Sequence, residues 1–204
     1  MSVKRTTVYF EKPGKENTEE TLRIALEAAK ERGINTVLQS STTGYSPLVA
    51  LRVFEGSGLK VVIVIHQTGY RAPEVQLLPP EDRERLEEAG MVVYTGTNVL
   101  TGGVEIGMSR QRPTKSIFQD GRLPSIVPPV TTVVAHTLRL FSQGVKVCAE
   151  IVMMVVDAGL VPLDEKVVSV AGSHAGSDTA MVTTPSTSNR IRDLKLHEII
   201  VKPL

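Results

Sequence analysis

The sequence has no tryptophan, four tyrosines, four phenylalanines and a single cysteine, Cys148. One cysteine excludes an intrachain disulfide, and its surroundings, VKVCAEIVMMVV, read as a packed apolar helix face in which the thiol is a small buried hydrophobe rather than a reactive group. An excess of charge is also missing: 23 basic residues against 22 acidic ones leave a formal net charge of +1. Without a basic field there is no electrostatic footprint for nucleic acid or an anionic membrane surface. No stretch reaches the roughly 18 uncharged apolar residues of a membrane span, and MSVKRTTVYFEKPG lacks the apolar core of a secretory signal. The expectation is a soluble, cytoplasmic protein with neither nucleic acid nor membrane as partner. Chemistry-bearing motifs are equally sparse. The four histidines show no HxxxH or HxH spacing, so no metal site is expected. No GxSxG elbow and no Cys–His pair points to a covalent hydrolase, and the GK[ST] ending of a Walker A loop is absent.

What is present is an alternation of short apolar runs and amphipathic segments. With 204 residues, 41% of them hydrophobic, the chain suits one packed domain over residues 1–204. TTVYF at 6–10 reads as a first strand. NTEETLRIALEAAKERG reads as a helix, with Asn17 and Glu20 at capping-box spacing, Leu22, Ala25, Leu26 and Ala29 on one face, and Gly33 as the stop. INTVLQ follows as a second strand. In SPLVALRVFEGSG, Ser46 is the expected N-cap and Pro47 the first helical residue. LKVVIVIHQTG reads as a central parallel strand covered on both faces. PPEDRERLEEAG is a short charged helix and MVVYTGTN another strand. Residues 102–128 hold too many Gly and Pro for one regular element and predict a helical turn and then an irregular surface excursion. Residues 130–160 predict one bent helix or two, with Gly144 as the weak point. Strands are expected near 167–170 and 179–184, and HEIIVKP reads as a C-terminal edge strand. Uncovered apolar surface in 130–160 makes a homo-oligomer an expectation. The fold class that follows is α/β: a three-layer α/β/α sandwich with a mostly parallel mixed sheet and an antiparallel edge.

Within this frame SSTTGYSP, residues 40–47, stands between a strand and a helix. A loop leaving the carboxyl end of a parallel strand and entering a helix gathers unpaired N–H groups and the positive end of the helix dipole. Ser40, Ser41, Thr42, Thr43 and Ser46 add hydroxyl donors, and Gly44 permits close approach or positive φ. Helix capping accounts for one of those hydroxyls and not for five, so the loop is read as a phosphate cradle. It contains no lysine or arginine, which predicts a mostly neutral pocket. Similar loops, HQTGY, TGTN and AGSHAGSDT, leave the ends of the later strands, where open α/β sheets bind ligands. His174 and Asp178 share the last of these, which makes them candidates for orienting a ligand or moving a proton. The competing reading has Asp178 bonding its own turn and His174 facing solvent. His66, at the end of an apolar strand, is a weaker catalytic candidate and more readily a satisfied buried histidine. His136 and His197 read as surface residues.

Residues 18–66, with the asparagine before them, resemble the C-terminal domain of pyruvate kinase, and Thr43, Gly44, Tyr45 and Ser46 match the Ser/Thr-Gly-x-Ser loop that holds an effector phosphate there. Over its full length the chain resembles a family of stand-alone pyruvate-kinase-C-terminal-like proteins of archaea and bacteria, in which SSTTGYSP and GSHAGSDTA stand out. The kinase likeness departs in two places: Tyr45 stands where a basic residue is common, and ALRVFEG replaces an Arg-rich continuation. The kinase's catalytic barrel has no counterpart, so pyruvate kinase activity is not expected. The stand-alone family implies flavin mononucleotide (FMN) as cofactor. Its phosphate would lie on residues 40–46, with Thr68, Gly69, Thr97, His174 and Gly176 toward the ribityl chain and ring. Two readings follow, a flavoprotein with a redox role or a non-catalytic sensor of a phosphorylated metabolite.

Overall fold

The structure, a computed structural model, describes residues 2–104 and 129–204. Its strands are β1 (Val8–Phe10), β2 (Thr36–Ser41), β3 (Lys60–His66), β4 (Val92–Gly96), β5 (Val167–Ala171), β6 (Thr179–Thr184) and β7 (Lys195–Pro203). Its helices are α1 (Thr18–Arg32), α2 (Tyr45–Val53), α3 (Pro80–Glu88), α4 (Val130–Arg139) and α5 (Gln143–Asp157). The strands form one sheet in the order β1-β7-β6-β5-β2-β3-β4. β5, β2, β3 and β4 run parallel, whereas β6 is antiparallel to both β5 and β7. The α/β sandwich with a mixed, mostly parallel sheet is therefore as the pattern predicts.

Period-two alternation sorts the side chains of the central strands into two layers. Val37, Val61, Ile63 and Ile65 pack with Leu22, Ala25 and Ala29 of α1 and with Val49, Ala50 and Leu86 of α2 and α3. Leu38, Val62 and Val64 point the other way, into Ile151, Val152 and Val155 of α5. Residues from Leu22 to Val201 are shielded in these two layers, and each fully buried Leu or Ile contributes about 1.5–3 kcal/mol of transfer free energy. α1 ends as its sequence requires: Gly33 is left-handed (φ 62), and Ile34 N–H reaches back to the Ala29 carbonyl at 2.9 Å, closing the helix in a Schellman turn.

Several local expectations give way to tertiary contacts. Asn17 does not cap α1; its amide donates to the Lys12 carbonyl, because a 3-10 turn at Lys15–Asn17 already occupies the approach to the helix. α2 is entered from Gly44, and Ser46 lies inside its first turn rather than capping it. β2 runs through Ser40 and Ser41, further than INTVLQ implies. HEIIVKP is not at an edge, since β1 adds to it in parallel, Val8 beside Val201. The single-or-double question over 130–160 resolves into two helices, with the break at Leu140–Ser142; Ser142 caps α5 by accepting from Val145 N–H. α5 is buried almost throughout, so the exposed apolar surface of this region belongs to Val130 and Val133 of α4 and to Leu140 and Phe141 after it. The irregular excursion expected over 102–128 lies, beyond residue 104, outside the described residues. Among the described residues no helix is long and apolar enough to cross a membrane.

The chain leaves β2 for β3 on one side and comes back through α4 and α5 to β5 on the other. α1, α2 and α3 cover one face of the sheet, and α4 and α5 cover the other. Such a reversal opens a crevice beyond the carboxyl ends of the strands.

Candidate functional site

A cavity of about 560 Å³ occupies this crevice. One wall is the hydroxyl loop. Ser41 Oγ accepts from Gly44 N–H at 3.0 Å, and the chain turns at Gly44 with φ 95. A Cβ there would come within 2.9 Å of Leu78 Cδ1 and 3.1 Å of Asp82 Oδ2, so both the conformation and the space call for glycine. The turn aims the first turn of α2 at the cavity. Pro47 has no N–H, which leaves Tyr45 and Ser46 to present the first-turn N–H groups, with no helical acceptor of their own. Lys15 lies over the Tyr45 ring, its ammonium 3.8 Å from the centroid, a cation–π contact that draws the entry to α1 across the loop.

The opposite wall, residues 172–177, is held from behind. Thr18 Oγ1 accepts from Ser177 N–H at 3.0 Å, Thr21 Oγ1 donates to the Ser177 carbonyl at 3.2 Å, and Gln39 Nε2 donates to Ser177 Oγ at 2.9 Å. Asp178 is fully buried; it accepts from Ser173 N–H at 3.2 Å and from Thr179 Oγ1 at 2.8 Å. Its carboxylate thus shapes the loop, while His174 sits exposed on the cavity rim. Asp178 therefore bonds its own turn, as in the competing reading from the sequence.

Of the residues singled out from the sequence, Ser40, Ser41, Thr42, Thr43, Tyr45 and Ser46 line the cavity, as do His66, His174 and Gly176. Gly44 shapes the loop without facing the cavity. Thr68, Gly69 and Thr97 do not line it; from those two loops it is Tyr70, Arg71 and Asn98 that face inward. The expectation of a mostly neutral pocket is corrected as well. Lys15, Arg71, Arg139 and Lys146 all reach the cavity, contributed by segments far from the hydroxyl loop in sequence. His136 and His197 are exposed, and His197 bonds Thr184 Oγ1 at 2.8 Å. Cys148 is buried and donates to the Ser169 carbonyl; burial pushes its thiol up to about 12, so no thiolate is available for chemistry.

The floor carries a network that motif reading missed. Lys146 and Glu150, one turn apart on α5, form an ion pair with side chains 2% and 1% exposed. Glu150 Oε1 accepts from Leu100 N–H at 2.8 Å and Thr101 N–H at 2.9 Å, and Oε2 accepts from Asn98 Nδ2 at 3.3 Å. Asn98 Oδ1 stands 3.0 Å from His66 Nδ1, and His66 Nε2 stands 3.3 Å from Thr42 Oγ1. The His66 ring lies flat on that of Tyr70, centroids 3.8 Å apart. Burial pushes His66 below the ordinary histidine value, against the Asn98 hydrogen bond and the Glu150 charge, while Lys146 and Arg71 reinforce the shift. Burial likewise lowers Lys146, with Glu150 opposing. One signal for the network was legible: a Lys and a Glu at i, i+4 in the apolar run VKVCAEIVMMVV have no reason to be there unless they meet.

No protein-family model matches the chain. Among solved structures, a pyruvate kinase from Cryptosporidium parvum superposes with a TM-score of 0.37 at 10% sequence identity, over 82% of this chain and 22% of that one. The SAH-bound Podospora anserina methyltransferase PaMTH1 superposes with a TM-score of 0.26 at 12% identity, over 71% and 49%. The chain thus spans less than half the length of either protein.

Proposed function

We propose that this protein binds a phosphorylated ligand, FMN, in the crevice at the carboxyl ends of β2, β3 and β5. The observation that carries the reading is that the hydroxyl loop, the first turn of α2 and the side chains of Lys15, Arg71 and Arg139 all open onto one cavity. Neutral hydroxyls and helix N–H groups bind a phosphate by direction, and cations bind it by charge.

The residues present fit the cofactor. A cavity of about 560 Å³ lies within the range of roughly 300–1,000 Å³ common for small-molecule sites. Beside the polar floor, the lining includes the apolar side chains of Val64, Ile65, Val147, Ile151 and Met154, and the flat His66–Tyr70 stack adds an aromatic wall. The hydroxyls and cations suit a phosphate, and the apolar side chains and aromatic wall suit a planar ring. Thr42, Thr43 and Ser46 would take the phosphate, His66, Tyr70 and Asn98 the ring side, and His174 and Gly176 the opposite rim. When bound, the flavin would supply hydride and electron transfer, and the protein would supply orientation.

The test is direct. Mass spectrometry of the small molecule released from purified protein, with titration of FMN followed by quenching of its fluorescence, should give stoichiometric FMN. Colourless protein that takes up no FMN overturns the flavin reading. Release of a different phosphorylated compound from such protein would favour the sensor of a phosphorylated metabolite.

A further inference from the structure

The network on the crevice floor fixes which nitrogen of His66 carries the proton. Among the described residues, every group placed against the Glu150 carboxylate is a donor: Lys146 Nζ, Leu100 N–H, Thr101 N–H, Thr101 Oγ1 and Asn98 Nδ2. A carboxylate accepts only, so the Asn98 atom facing it is the amide nitrogen. The other end of that amide, the carbonyl oxygen, therefore faces His66 Nδ1. An oxygen acceptor there requires a proton on Nδ1. In the neutral ring Nε2 is then bare, and the Thr42 hydroxyl donates to it.

We propose that His66 is the proton acceptor of the crevice, presenting an unprotonated Nε2 to a ligand that carries an N–H or O–H on its ring side and an anion at its other end, with Asn98 and Glu150 as the residues that position it. The inference rests on the crevice being a ligand site, as argued above. A ligand donor arriving at Nε2 displaces the Thr42 hydroxyl, which belongs to the phosphate loop and is freed to donate to the anion. Recognition of the two ends is thereby linked through one hydroxyl.

If the donor is acidic enough, the same geometry moves the proton. The ligand's X–H bond breaks, an Nε2–H bond forms, and the electron pair of the broken bond stays on the ligand. Of the charges facing the new imidazolium, Glu150 steadies it through Asn98, while Lys146 from α5 and Arg71 from the loop after β3 oppose it. Among the described residues, the other groups in contact with His66, Thr42, Tyr70 and Gln76, whose amide donates to the His66 carbonyl, carry no charge. An imidazolium held between one favourable and two unfavourable charges in a partly dry site gives its proton back readily.

Long-range proton–nitrogen NMR on the ligand-free protein, above the histidine titration range, should show His66 as the Nδ1–H tautomer. An Nε2–H tautomer there overturns the proposal. In Asn98→Ala that signature should be lost while the rest of the spectrum keeps its dispersion; its survival would remove Asn98 from the positioning role. FMN affinity of the wild type, measured against that of His66→Gln, should fall by about tenfold per pH unit below the His66 midpoint, as one-proton linkage requires. Equal pH profiles for the two proteins overturn proton acceptance. Should FMN fail to bind at any pH while the Nδ1–H tautomer is seen, the flavin reading falls and the assignment of the bare Nε2 stands.

Discussion

Lys146 and Glu150 pair at the floor of the crevice with almost no exposure, and the same carboxylate holds the backbone of Leu100 and Thr101. Removing one partner of a buried pair strands the other charge, so Lys146→Met should destabilise the protein by about 3–5 kcal/mol. Adding Glu150→Leu should not restore it, because the Leu100 and Thr101 N–H groups would then lose their acceptor. Urea unfolding checks both; a loss below about 1 kcal/mol for Lys146→Met would place the pair with ordinary surface ion pairs.

His66 gives stability a pH dependence of known sign. Its folded-state value is depressed below the reference of 6.5, with burial the main cause, so the unfolded chain binds the proton more readily. Stability should fall as pH drops from about 6.5 through the folded-state titration and level off below it. Thermal melts across that range, wild type against His66→Gln, should show a shallower slope for the variant; identical slopes would mean that His66 is as solvated in the folded state as in the unfolded one.

Gly144 lies in the first turn of α5, where alanine would ordinarily favour a helix by up to about 1 kcal/mol. A Cβ at this position would run into the Thr179 side chain and come within 3.2 Å of Asp178 Oδ1. Gly144→Ala should therefore lower the melting temperature, since overpacking of this kind costs about 1–3 kcal/mol. A raised melting temperature would show that α5 shifts freely against β6.

Thr43 and Ser46 both face the cavity, Thr43 exposed and Ser46 buried. Replacing both by alanine should weaken FMN by about 1–3 kcal/mol through lost charge-assisted hydrogen bonds. Calorimetric titration giving an unchanged affinity would move the phosphate off this loop.

The sheet order shows how far pattern reading reaches. Continuous apolar runs such as VVIVI at 61–65 suit only a strand covered on both faces, so the parallel centre was legible from side-chain chemistry alone. The β6 pairing was legible as well, because the few residues between β5 and β6 leave no room for a crossover helix. The place of β7 was not. HEIIVKP looks like any C-terminal edge strand until three residues from the other end of the chain, Val8 to Phe10, line up beside it. Helix caps failed for a related reason: Asn17 and Ser46 have the right side chains, but neighbouring backbone had already fixed how each helix begins.

The amino-acid sequence by itself determined the alternation of elements, the α/β class and the hydroxyl-rich loop after β2, since each rests on interactions between residues a few positions apart. Only the tertiary structure decided what that loop faces. Four cations, one of them in a buried ion pair, and a half-buried histidine come from five segments that approach one another only when the sheet forms. Contacts between distant segments leave no periodic trace along the chain, and the sole hint of them was two opposite charges in an apolar helix, whose burial is tolerable only as a pair.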